Sequence, residues 1–168
     1  QPVTDEVVNS ANFDDDSPTT IDTAACKLVD LVRQNVVDPS DWAEVERLAD
    51  HHAIALEPEW TPALQVVLGA ALRYGHMMAE RAGIIDFIDQ LWIPNVDNRV
   101  RPYQVDWVLV DEAQDLNAAQ RALVRQCIRR GGRLLFVGDP NQAIYGFAGA
   151  DSESFNSIIE ENEATVMP

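Results

Sequence analysis

Two short apolar runs, each ending in acidic residues and joined by one helix-patterned stretch, constrain this chain more than any other feature. VDWVLV (105–110) and RLLFV (133–137) are aliphatic and β-branched without alternation, the pattern of strands buried on both faces. Between them, NAAQRALVRQCIRRGG (117–132) is punctuated as a helix. Asn117 can cap it, Gln120 sits at the capping-box position, Arg129 and Arg130 suit its C-terminal end, and Gly131 can stop it. Strand, helix and strand across residues 105–137 predict a right-handed crossover, hence a parallel sheet and an α/β fold.

Ligands of an open parallel sheet sit beyond the carboxyl ends of its strands. Val110 leads there into Asp111 and Glu112, and Val137 leads into Gly138 and Asp139. Neighbouring strands would bring these three carboxylates to one crevice, a site for a hard cation such as Mg²⁺ bridging phosphates. The alternative for Asp115 and Asp139 is that they only cap turns, and for Asp115 the two readings weigh equally.

The first half reads as helical. Ala24, Leu28, Leu31 and Val32 recur at helical spacing, Asp38 and Pro39 offer an N-cap and first helical position, and Thr61–Pro62 repeats that start. Leu64, Val67, Leu68, Ala71 and Leu72 then predict a long helix ending near Gly83. IDFIDQLWIP (85–94) is a short amphipathic segment closed by Pro94, and a loop leads from it to residue 105. The acidic NFDDDSPTT (12–20) reads as a solvated loop, because it lacks the glycine and terminal glutamate of a calcium loop.

VLVDEAQD (108–115) and GDPNQAIYGFAGA (138–150) resemble motifs II and III of the UvrD/Rep group of superfamily 1 DNA helicases. IDFIDQLWIP resembles the segment that precedes motif II there, so the specific likeness covers residues 84–155. The resemblance implies a partial RecA-like, P-loop ATPase domain over residues 84–168, behind a mainly helical insertion subdomain over residues 1–83. It also implies ATP and Mg²⁺ as cofactors. Asp111 would hold the metal, Glu112 would polarise the attacking water, and Gln142 would sense the γ-phosphate. Gln114 and Asp139 would belong to the same nucleotide site. Tyr145 and Phe147 would face single-stranded or partly duplex DNA, with Phe147 stacking on a base. Ala148 stands where the group usually has arginine.

The loop G-x-x-x-x-G-K-[ST], whose amides and lysine hold phosphates, occurs nowhere in the 168 residues. With Gln1 in place of an initiator Met, the chain reads as an internal piece of a larger helicase, inactive alone. Its partners would be DNA and the remainder of that polypeptide. A metal-dependent nuclease using Asp111, Glu112 and Asp139, or a non-catalytic interaction module, are the rival readings.

Charge and cysteines narrow the setting. The net charge of −16 is concentrated in residues 1–60, with 14 Asp/Glu against 3 Lys/Arg. Such a surface repels nucleic acid at long range, so any DNA grip must be local. Cys26 and Cys127 form no ligand-spaced pair, and the adjacent His51 and His52 point about 100° apart on a helix, which argues against zinc. A reduced, cytoplasmic or nucleoid-associated protein fits, and no apolar run reaches the roughly 18 residues of a membrane span.

Overall fold

The computed structural model describes residues 20–139 and 154–167. Among these residues, six α-helices and two strands follow in the order α1 (Ile21–Asn35), α2 (Trp42–His51), α3 (Thr61–Ala82), α4 (Asp89–Val96), β1 (Val105–Val110), α5 (Ala118–Gln126), β2 (Ile128–Phe136) and α6 (Ser154–Asn162). The fold is mixed α/β, with β1 and β2 parallel and adjacent.

The helical half closes on its own apolar stripe. Thr20 caps α1 by accepting from the Thr23 amide, and Ala24, Leu28, Leu31 and Val32 form its buried face. They meet Val45 and Ala49 of α2 and Leu64, Leu68 and Leu72 of α3. Gly83 ends α3 at φ 66°, a left-handed cap that glycine adopts without strain. The same cluster continues into α4 through Trp92 and Ile93.

Local expectations shift at three places here. α2 starts at Trp42 with Asp41 as its cap, because the Asp38 carboxylate is already taken by the Ser40 amide and hydroxyl. Val67 is 46% exposed instead of packed. Pro94 lies inside α4 and does not close it; the helix runs on to Val96. At the entry to α4, Asp86 and Asp89 each accept from the other's amide, at 2.7 and 3.1 Å, a reciprocal cap of capping-box type.

Arg33 ties α1 to that entry. Its guanidinium donates to Asp86 (2.6 Å), Asp89 (3.0 Å) and Asp30 (2.7 Å), and its side chain is only 10% exposed. Burial alone would lower its pKa, but the bonds to Asp86 and Asp30 outweigh that and raise it. Farther along, Asn95 donates to the carbonyls of Leu91 and Ala119, so α4 is pinned to α5.

The βαβ unit forms with two corrections. Asn117 and Gln120 make the expected capping box, but α5 ends at Gln126, so Arg129, Arg130 and Gly131 lie in β2. Pairing jumps from Val105↔Ile128 to Trp107↔Arg133 and is regular from there to Val110↔Phe136. The residues between bulge outward, with Gly131 at φ 83°. A Cβ on Gly132 would lie 2.9 Å from the Asp106 carbonyl oxygen, which explains the second glycine. The other correction concerns burial. Trp107 and Leu109 share one face of β1 and are 57% and 69% exposed, so the strand is not buried on both faces. Arg133 stacks over the Trp107 ring at 5.2 Å and shields part of that face.

Candidate functional site at the carboxyl edge of the sheet

The chain leaves β1 through a tight turn. Glu112 sits at φ 50°, a left-handed conformation that an ordinary side chain adopts at a cost of about 1–3 kcal/mol. A 3₁₀ turn, Ala113–Asp115, follows. The Asp111 Oδ1 atom accepts from the Glu112 amide at 3.0 Å, and Asp115 is exposed with its amide on the Glu112 carbonyl.

Gln114 is the pivot. It is only 3% exposed, whereas Asp111 and Glu112 are open to solvent. Its Nε2 donates to Glu112 Oε2 at 2.7 Å, and its Oε1 accepts from the Asp139 amide at 3.1 Å. One side chain thus joins the turn after β1 to the turn after β2. The Ala113 amide reinforces the junction by donating to the Val137 carbonyl at 2.9 Å. Gly138 is needed where the two turns touch: a Cβ there would lie 2.3 Å from Gln114 Oε1 and 3.0 Å from the Ala113 nitrogen.

Beneath the turn, α6 docks through charge and one apolar anchor. Glu161 accepts from Arg121 and Arg125, Arg121 also donates to the Leu116 carbonyl at 3.1 Å, and Ile158 is buried. Residues on both sides of segment 140–153 are therefore fastened to the turn that carries Asp111 and Glu112.

The structure brings Asp111, Glu112, Gln114 and the backbone of Asp139 together. Gln142, Tyr145, Phe147 and Ala148 lie outside the described residues. The expected convergence of three carboxylates does not form: among the described residues, no group of three or more His, Cys, Asp or Glu could hold a metal ion. The reason is local, since Gln114 draws Glu112 toward itself while Asp111 folds over the Glu112 amide. This donor set suits Mg²⁺ that takes one carboxylate and completes its shell with phosphate and water, and does not suit an all-protein cage. Sequence reading gave Gln114 no physical task and missed the Arg121–Glu161 link. A neutral amide between acids in a polar turn was the available signal for Gln114, but nothing in the sequence pairs residues 121 and 161.

The model of the UvrD/REP helicase N-terminal domain matches residues 12–163. DNA helicase II of Salmonella typhimurium is 34% identical over 90 residues, covering 49% of this chain and 12% of that protein. ATP-dependent DNA helicase Rep of Buchnera aphidicola is 31% identical over 84 residues, 46% of this chain and 12% of that protein. ATP-dependent DNA helicase PcrA of Leuconostoc citreum is 28% identical over 173 residues, 96% of this chain and 21% of that protein. The chain thus spans from 12% to 21% of the length of these three relatives.

Proposed function

This chain belongs to the UvrD/REP helicase N-terminal domain family, and on that premise we propose that it carries the metal and water side of the ATP site in an ATP-dependent DNA helicase. The observation that carries the reading is the Glu112 carboxylate, held at the carboxyl edge of a parallel strand pair by the Gln114 amide. Oε2 is engaged by Gln114, while Oε1 has no partner among the described residues and is left to accept a proton from the attacking water. Asp111 would hold Mg²⁺ through water, and the bound metal would neutralise charge on the transferring phosphoryl group.

In the same proposal Gln142 contacts the γ-phosphate, and Tyr145 and Phe147 meet single-stranded or partly duplex DNA. The phosphate-binding loop and the arginines that complete the site come from the remainder of the polypeptide. Residues 1–83 act as the helical insertion and residues 84–168 as part of the RecA-like domain, with Arg33 pairing across that division. No described helix is long and apolar enough to cross a membrane; a cytoplasmic or nucleoid-associated setting belongs to the same proposal. The 168-residue sequence contains no G-x-x-x-x-G-K-[ST] loop to supply an amide nest and lysine for the phosphates, and the chain alone is expected not to turn over Mg-ATP.

Steady-state hydrolysis by the full-length protein tests the reading. Mg-ATP turnover stimulated by single-stranded DNA is expected. Metal-dependent DNA cleavage with no need for ATP would sink it in favour of a nuclease.

A further inference from the structure

We infer that Gln114 is a positioning residue, which fixes where the Glu112 carboxylate points according to the place of the chain leaving β2. The inference rests on the proposed role of Glu112 and deepens it. The Asp139 amide can only donate, so it selects the oxygen end of the Gln114 side chain. The nitrogen end is then committed to Glu112. Rotating the amide by half a turn would set N–H against N–H and oxygen against carboxylate, so one orientation satisfies both neighbours.

Burial leaves the side chain little room to depart from that orientation. It is 3% exposed, and the surface of Gly138 on which it lies cannot accept even a methyl group. The Ala113–Val137 bond holds the two turns at a fixed separation. Glu112, in a left-handed conformation, has no other side-chain partner among the described residues, so its carboxylate follows Gln114. Displacing residues 138–139 relative to the end of β1 therefore moves the carboxylate through one rigid amide. Gln114 touches neither water nor phosphate in this scheme and acts through Glu112.

Two substitutions separate positioning from simple structural support. Gln114→Glu keeps an acceptor for the Asp139 amide but removes the donor to Glu112; Gln114→Leu removes both. In the full-length enzyme both variants should lose about 10- to 100-fold in kcat, the scale of a misplaced catalytic group, with KM for Mg-ATP changed less than about threefold. If Gln114 only braces the turns, Gln114→Glu will turn over like the wild type, and the inference is overturned. Wild-type enzyme without Mg-ATP turnover would instead remove the reading of Glu112, and the inference with it.

A second readout needs no nucleotide. In the 168-residue chain, Glu112→Gln should shift the side-chain amide resonances of Gln114 while the Asp139 backbone amide stays protected from exchange. Gln114→Leu should speed that exchange by about tenfold or more. Gln114 resonances that ignore Glu112→Gln would contradict the bridge itself, whatever the kinetics.

Discussion

The helical half and the sheet half of this molecule are held together by different means. From α1 to α4 an apolar stripe closes on itself: Leu28, Val32, Val45 and Leu64 are essentially inaccessible to water. Around β1 and β2 the large apolar side chains Trp107, Leu109 and Val137 remain more than half exposed. Apart from the Ile158 anchor and the small buried Ala113 and Ala119, what fixes that region is polar, namely the Gln114 bridge, the Asn117–Gln120 cap and the Arg121–Glu161 pair. The contrast teaches that the closed apolar core and the candidate site lie in different parts of the chain. The helices supply the closed core, and the sheet supplies an acidic edge whose geometry is set by hydrogen bonds.

Truncations should break this comparison most visibly. Leu28→Ala opens a cavity at the centre of the helical core and should cost about 3–5 kcal/mol in denaturant unfolding. Next in size is Arg33→Ala, which leaves Asp89 buried without its cation and should cost about 3 kcal/mol. In the sheet half Leu109→Thr should stay within about 0.5 kcal/mol, since the side chain is already in water. Equal losses at positions 28 and 109 would mean that the exposed strand face is covered in solution.

Acid should also act first on the helical half. The bonds from the Arg99 side chain and amide, with His76 beside them, hold the Asp97 carboxyl far below its usual range. Asp86 is also lowered, because its bonds from the Asp89 amide and Arg33 outweigh the opposing effect of burial. A carboxylate depressed in the folded state stabilises fully above its unfolded pKa of about 3.9 and loses that contribution as pH falls through the folded value. Melting temperature should therefore hold steady from neutrality to about pH 5 and drop below about pH 4. Arg33→Ala should flatten the part of that drop due to Asp86.

Most of the architecture was legible because its signals are local. The stripe Ala24–Leu28–Leu31–Val32, the Gly83 cap, the Asn117–Gln120 box and the regular strand pairing from residue 107 are written in short-range pattern. Misplaced boundaries arose where two local solutions compete. Asp38 and Asp41 both can cap, and Gly131 can end a helix or open a bulge. The pair Asp111–Glu112 stood out in the sequence as a candidate site, since two acids after an apolar strand have few structural uses. The direction of the Glu112 carboxylate was not, because it depends on an amide whose other end reaches a backbone group 25 residues away. Contacts set by tertiary packing leave no periodic trace.

Paired nucleotide-binding and hydrolysis assays on wild-type full-length protein and Glu112→Gln decide whether Glu112 is the catalytic base. Mg-ATP should still bind with affinity changed less than about threefold, while kcat falls by about 100- to 10,000-fold, the range for loss of a general base. Turnover that survives this substitution would show that the carboxylate held by Gln114 does not act on the water, and the site at the sheet edge would not be the catalytic one.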